Sequence, residues 1–214
     1  APIGRALGIL PANPDPLRER TVGATPSIGL NANVKYDFDP RDGIDADKLD
    51  FEAIVMREVG RILGFTSNVG NGELRPERAT YLTTWDYFRF RPGVKFSSLT
   101  EDDRAQLSGG EHVFFAGGEE WPLSTGKANG AGGDGNPAGH WKDDVLTGRY
   151  IGIMDPTLAY GERGGITAAD LEAIQVMGYQ VALNTPAFEV ASRDDGSRDA
   201  TFTLNGALAL TRIN

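Results

Sequence analysis

The stretch REVGRILGF, residues 57–65, sets Arg57 and Arg61 four places apart, with Glu58 beside the first and Gly64 three places after the second. In a helix that spacing puts both guanidinium groups on one face, a turn apart. A guanidinium offers five N–H donors and no lone pair, and it stays charged inside a protein. These two positions can therefore pair with carboxylates but cannot ligate a metal. Glu58 is a residue of the general-base type. The chain has two histidines, His140 in the string GHW and His112 in EHVFF. Taken alone, the arginine pair is the pattern of a solvated helix face. His112 reads as a strand-edge histidine, and a nucleophilic pair of Ser67 with His140 has no local support.

A second set of residues with chemistry precedes this stretch. Asp37, Asp39, Asp42, Asp45 and Asp47 crowd around Gly43 in DFDPRDGIDAD. Hard oxygen ligands in a tight loop suit Ca²⁺, although the glycine falls one place late for an EF-hand loop. A calcium site and a turn of side-chain caps leading into a helix both fit these residues.

The elements that must position these groups follow from periodicity. Phe51, Ile54, Val55, Val59 and Ile62 recur at helical spacing and predict a helix from about Asp47 to Leu63. Asp45 or Asp47 is expected to cap its start and Gly64 to end it. Residues 26–40 alternate and read as one or two strands, and residues 1–10 as a short helix broken by PANPDP. TEDDRAQLS suggests a helical turn, HVFFAGGEEWPLSTG a hairpin, and GKANGAGGDGNPAG a flexible loop. TAADLEAIQVMG predicts a second helix, with Thr167 as N-cap, Asp170 in the capping box and Gly178 as terminator. Two alternating runs around Asp195–Gly196 read as a β-hairpin.

Composition bounds the function classes. With 214 residues, 40% hydrophobic and 24% charged, the chain is long enough for a substantial core. Its 28 glycines point to a loop-rich fold. A net charge of −9 disfavours binding to nucleic acid or to an anionic membrane, and no apolar run is long enough to span a bilayer. Without cysteine there is no disulfide and no thiolate zinc site. The opening APIGRALGIL has neither an initiator Met nor a leader, and reads as a processed chain.

With histidine in place of each arginine, residues 57–65 would read HEVGHILGF, which resembles the H-E-x-x-H-x-x-G helix of zinc metallopeptidases. GHWKDDVLTGRYIGIMDP, residues 139–156, resembles the segment by which leishmanolysin-like metzincins supply a third histidine and then a methionine turn. His140, Trp141 and Met154 stand in that order. DFDPRDGID and GIMDPTL also resemble segments of secreted bacterial peptidases of this type. The resemblance covers residues 1–182 and implies an α+β fold: a metzincin-like domain with a twisted mixed sheet, an active-site-type helix, a Met-turn and a C-terminal helix. Residues 183–214 then form a strand-rich extension.

In that family two helix histidines and the distal one hold Zn²⁺, the glutamate is general base, and the methionine lies beneath the site. Carried over, Glu58 is a degenerate general base, Arg57, Arg61 and His140 occupy the former metal-ligand positions, and Met154 is the Met-turn residue. One imidazole falls short of the roughly three protein ligands that a catalytic zinc needs. No zinc is therefore expected, and water there keeps a pKa near ~15.7 rather than ~7. Glu58, Glu119, Asp143 and Asp144 are the carboxylates expected to neutralise the arginines.

The resemblance thus implies an inactive, secreted or extracellular peptidase homologue that works by binding or assembly. Its partner would be a protein, including copies of itself joined through strand pairing. An active zinc-dependent extracellular metallopeptidase is the alternative, with zinc as its cofactor. A calcium-dependent adhesion module is a third reading.

Overall fold

A computed structural model describes residues 27–76, 81–127, 129–179, 181, 187–192, 198–203 and 208–213. The helix expected in residues 1–10 and the turn at Asp195–Gly196 lie outside them. The chain divides into two units, Ala1–Tyr179 and Gln180–Asn214.

In the first unit, β1 (Tyr36–Asp37) pairs in parallel with β2 (Leu49–Asp50). That pairing holds the chain extended as far as Asp50, so helix α1 (Phe51–Leu63) starts only after it. The N-cap is accordingly Asp50 rather than Asp45 or Asp47; its carboxylate accepts the Ala53 N–H at 3.1 Å. Gly64 ends the helix as expected, at φ 137°, with its N–H on the Gly60 carbonyl at 3.0 Å. The covered face differs from the expected stripe. Phe51, Ala53, Val55 and Gly60 are buried, whereas Ile54, Val59 and Ile62 are only partly so. The small residues win because other backbone and side chains press against them: a methyl added at Gly60 would sit 2.6 Å from Met154 Sδ.

After a short turn of helix, α2 (Asn71–Leu74), three strands form an antiparallel sheet: β3 (Arg89–Phe90), β4 (His112–Phe114) and β5 (Trp121–Leu123). β4 and β5 are the expected hairpin. His112 lies on the central strand and is 1% exposed, which corrects the strand-edge expectation. The turn expected in TEDDRAQLS is a 3₁₀ turn at Glu101–Asp103, closed by a Thr100–Asp103 capping box. A third short helix, α3 (Asp144–Thr147), precedes α4 (Ala168–Val176), which has the expected Thr167–Asp170 capping box; Gly178 follows at φ 97°. The architecture is α+β, and the described residues of this unit form two small sheets whose strands run two or three residues.

The core gathers aromatics from distant segments. Trp85 stacks on Phe114 at 5.1 Å between centroids and meets Phe65 at 4.7 Å and Trp141 at 5.2 Å. Met154, Ala169, Ala173 and Met177 close the cluster. Fully burying a side chain of the Phe or Met class contributes about 1.5–3 kcal/mol, so this cluster fixes the 139–156 segment against α1 and α4.

The second unit contains the antiparallel meander β6 (Ala187–Ser192), β7 (Arg198–Thr203) and β8 (Leu208–Ile213). β6 and β7 pair as the alternating runs suggested. β8 is an additional strand, paired with β7.

Candidate functional site

The segment carrying His140 is laid in place by backbone bonding. Ser124 N–H donates to the His140 carbonyl at 3.1 Å, and Lys142 N–H to the Pro122 carbonyl at 2.9 Å, so residues 140–142 lie antiparallel beside β5. Trp141 N–H then reaches the Met154 carbonyl at 3.1 Å. Gly139 lets this segment approach the chain leaving α1; a Cβ there would sit 3.0 Å from the Phe65 carbonyl oxygen. From α4, the buried Asp170 carboxylate accepts Trp141 Nε1–H at 2.7 Å and Ile153 N–H at 2.8 Å. Burial pushes the Asp170 pKa up despite those bonds.

These supports bring the sequence-selected residues together. Arg61 Nη2 lies 3.0 Å from His140 Nε2, and His140 Nδ1 lies 3.0 Å from the Pro137 carbonyl. A carbonyl only accepts and a guanidinium only donates, so Nδ1 carries the proton and the Nε2 lone pair receives the arginine. Burial, with the charges of Arg61, Arg57 and Lys127, lowers the His140 pKa to about 4, even though the Pro137 carbonyl opposes this. Met154, fully buried, lies directly under Gly60 of α1.

The arginines find other partners than most of those expected. Arg57 Nη2 donates to the Pro156 carbonyl at 2.9 Å. Its pKa is lowered by burial and by Arg61, against the opposing charge of Asp155. Arg61 Nε stands 3.5 Å from Glu58 Oε1, a half-exposed pair of small worth. Glu119 is exposed and joins neither arginine. Asp143 instead caps α3 through the Val145 N–H and accepts from Asn136 Nδ2. Its neighbour Asp144 receives nothing from the arginines; its own N–H donates to Asp155 at 3.0 Å. Ser67 is likewise directed away, donating to Asp86, which removes the serine–histidine reading.

Zinc does not fit these donors. Two of the three positions that the resemblance assigns to ligands carry guanidinium, and the His140 lone pair is already engaged by Arg61. Among the described residues, the group with metal-binding spacing is Asp143, Asp144 and Asp155, whose oxygens lie within 4.8 Å of one another. Burial and the two neighbouring acids raise the Asp155 pKa.

The five aspartates near Gly43 do not converge in that way. Asp37 accepts the N–H groups of Asp39 and Asp45 at 3.1 and 2.9 Å. Asp39 forms a forked pair with Arg41, Asp45 pairs with Lys48, and Asp47 with Lys35 at 2.6 Å. Asp42 lies within a 3₁₀ turn, Pro40–Asp42.

One cluster had no signal in the sequence. Arg89 is fully buried and donates to His112 Nδ1 and the Ser124 carbonyl at 2.9 Å each, and to the Ala138 carbonyl. Its Nε stands 3.8 Å from Asp86, which in turn accepts from Ser67, Asn68 and Thr83. The Arg89–Asp86 pair therefore joins the chain leaving α1 to the chain entering His140. Beside Pro156, a cleft of about 530 Å³ opens between Tyr150, Thr157 and Leu158.

No helix among the described residues is long and apolar enough to cross a membrane. No protein-family model, curated protein or solved structure matches the chain.

Proposed function

We propose that this chain is a catalytically inactive homologue of leishmanolysin-like metzincin peptidases, working outside the cell as a binding or assembly protein. One observation carries the reading: the His140 nitrogen that would face a zinc ion accepts an N–H from Arg61 at 3.0 Å. The arrangement around it supports the family resemblance. An HExxH-like helix, a distal histidine and a buried methionine meet at one place, as in a metzincin site whose metal is replaced by a cation–imidazole contact. Glu58 has no metal-activated water to deprotonate. The outer strands β6 and β8 each have one unpaired edge among the described residues, and such edges are templates for a strand of another copy.

The test is metal content by mass spectrometry, together with casein hydrolysis, after purification in zinc-containing buffer. The expected outcome is far less than one zinc per chain and no chelator-sensitive hydrolysis. The double variant Arg57→His, Arg61→His is expected to gain about one zinc per chain, because His140 and the Met154 floor are already in place. Stoichiometric zinc in the unaltered chain would overturn the proposal. Light scattering tests the assembly reading, which a concentration-independent monomer would exclude.

A further inference from the structure

We infer that the cleft beside Pro156 docks an extended basic segment of a partner protein, its lysine or arginine meeting Asp144 and Glu162 and its apolar residues meeting Val145, Tyr150 and Leu158. This deepens the binding role proposed above by naming the class of partner, and it does not use the His140 site. The cleft measures about 530 Å³, within the range of about 300–1,000 Å³ usual for binding pockets. One wall is the four-residue helix α3, fixed at both ends. Asp143 accepts the Val145 N–H at 2.9 Å, and Gly148 closes the turn at φ 71°. None of its residues is buried, and Val145 is 83% exposed. Tyr150 is set by its hydroxyl, which donates to the Gly165 carbonyl at 3.0 Å, and Leu158 packs on the core cluster. Leu146 and Tyr160, each next in the chain to a lining residue, are more than half exposed as well. Apolar surface held rigidly in water gains from being covered.

Charge selects the occupant. Asp144 and Glu162 line the cleft, and the buried Asp143 and Asp155 have oxygens within 4.8 Å of Asp144. The opposing cations are Arg149, which also lines the cleft, and Arg57, whose charge acts on Asp155. Arg149 is drawn over the Trp121 ring, 5.8 Å from its centroid. Other nearby cations in the chain are engaged elsewhere, Arg163 by Glu52 and the Pro40 carbonyl, Lys142 by Asp134. Burial raises the Asp155 pKa, and even with that group protonated the acids outnumber the cations by three to two. A bare metal ion would leave the apolar walls uncovered, and a small amine would leave Leu146 and Tyr160 so. A basic side chain satisfies both features, with its stem on apolar surface and its cation on a carboxylate. In an extended peptide the residues two places to either side face the same way and reach the same walls.

The experiment is calorimetric titration of the full chain with N-acetyl-Leu-Ser-Lys-Ser-Leu-amide. The comparison probes carry acetyl-lysine in place of lysine, or serine in place of both leucines, and 1,5-diaminopentane serves as the small amine. The parent peptide is expected to bind saturably, with each altered peptide and the diamine at least about tenfold weaker. Neither Asp144 nor Val145 is buried, and Asp144→Asn and Val145→Ser are each expected to weaken binding about tenfold. Arg149→Ala removes the cation of the cleft and is expected to tighten it. Glu101→Gln, which takes the same charge from outside the cleft, should bind like the parent chain. No binding at up to about 1 mM peptide, equal binding of the acetyl-lysine peptide or the diamine, or an unchanged affinity in Asp144→Asn would each overturn the inference. Zinc content of the same samples reads the inactive-homologue proposal separately. A zinc-free chain that ignores the peptides loses the docking cleft alone, whereas stoichiometric zinc beside normal peptide binding removes only the inactive reading.

Discussion

Each histidine of this chain is held between one carbonyl and one arginine. His140 sits between Pro137 and Arg61, and His112 between Gly109 and Arg89. The carbonyl takes the ring's only N–H and the arginine takes its lone pair, so neither ring has a place for a second proton. His140 is accordingly lowered to about 4 and His112 to about 3, with burial the leading cause for both. Replacing Arg61 with alanine removes a nearby positive charge and admits water, so the His140 pKa is expected to rise toward its ordinary value. That of His112 should stay put. NMR titration of the two ring signals checks this, and an unmoved His140 would mean that its ring does not face Arg61. The meeting of Arg61 with His140 was legible in motif order alone. The choice of partners was not. Asp143 and Asp144 follow His140 closely in sequence, yet α3 claims the first as its cap, and among the described residues neither pairs with an arginine of the site. Whether a nearby acid pairs or caps depends on the local backbone, which residue spacing does not specify.

Between elements, the contacts at the site are close and directional. A methyl at Gly60 would gain up to about 1 kcal/mol in helix propensity but would meet the Sδ of fully buried Met154 at 2.6 Å. Overpacking of that kind costs about 1–3 kcal/mol, so Gly60→Ala is expected to destabilise on balance. Denaturant unfolding of Gly60→Ala, Met154→Ala and the double variant decides the matter; losses that simply add would show that the two residues do not touch. The second contact is the buried Arg89–Asp86 pair. With the bonds that Asp86 accepts and Arg89 donates, it ties the chain leaving α1 to the chain entering His140. Removing one partner of a buried pair costs about 3–5 kcal/mol, so Arg89→Met should lower stability by that order in the same assay. Nothing in YFRFRPG announced this. A buried arginine between two phenylalanines has the same local pattern as an exposed one, and only the carbonyls of Ser124 and Ala138, far along the chain, distinguish them. The helices, by contrast, were legible because their caps and periodicity are local, as the Thr167–Asp170 box shows.

At the scale of the whole molecule, these two neutral rings set how stability responds to acid. The folded pKa values of His112 and His140 lie below the ordinary 6.5, so the unfolded chain binds their protons first. Their contribution to stability is complete above about pH 6.5, declines as pH falls from there, and is spent at about 4 for His140 and 3 for His112. Midway, each histidine approaches ~1.4 kcal/mol of lost stability per pH unit. Asp155 and Asp170 act in the opposite sense. Burial raises their folded pKa values, so acid relieves a penalty there. The chain has only these two histidines, so the imidazole share of the slope between pH 6.5 and 5 belongs to them. Urea midpoints are therefore expected to fall steeply over that interval. The double variant His112→Gln, His140→Gln, although less stable at neutral pH, should show a nearly flat profile over the same range. An unaltered slope in that variant would show that the two imidazoles are not held neutral in the folded chain, and the arginine contacts that define the site would fall with that result.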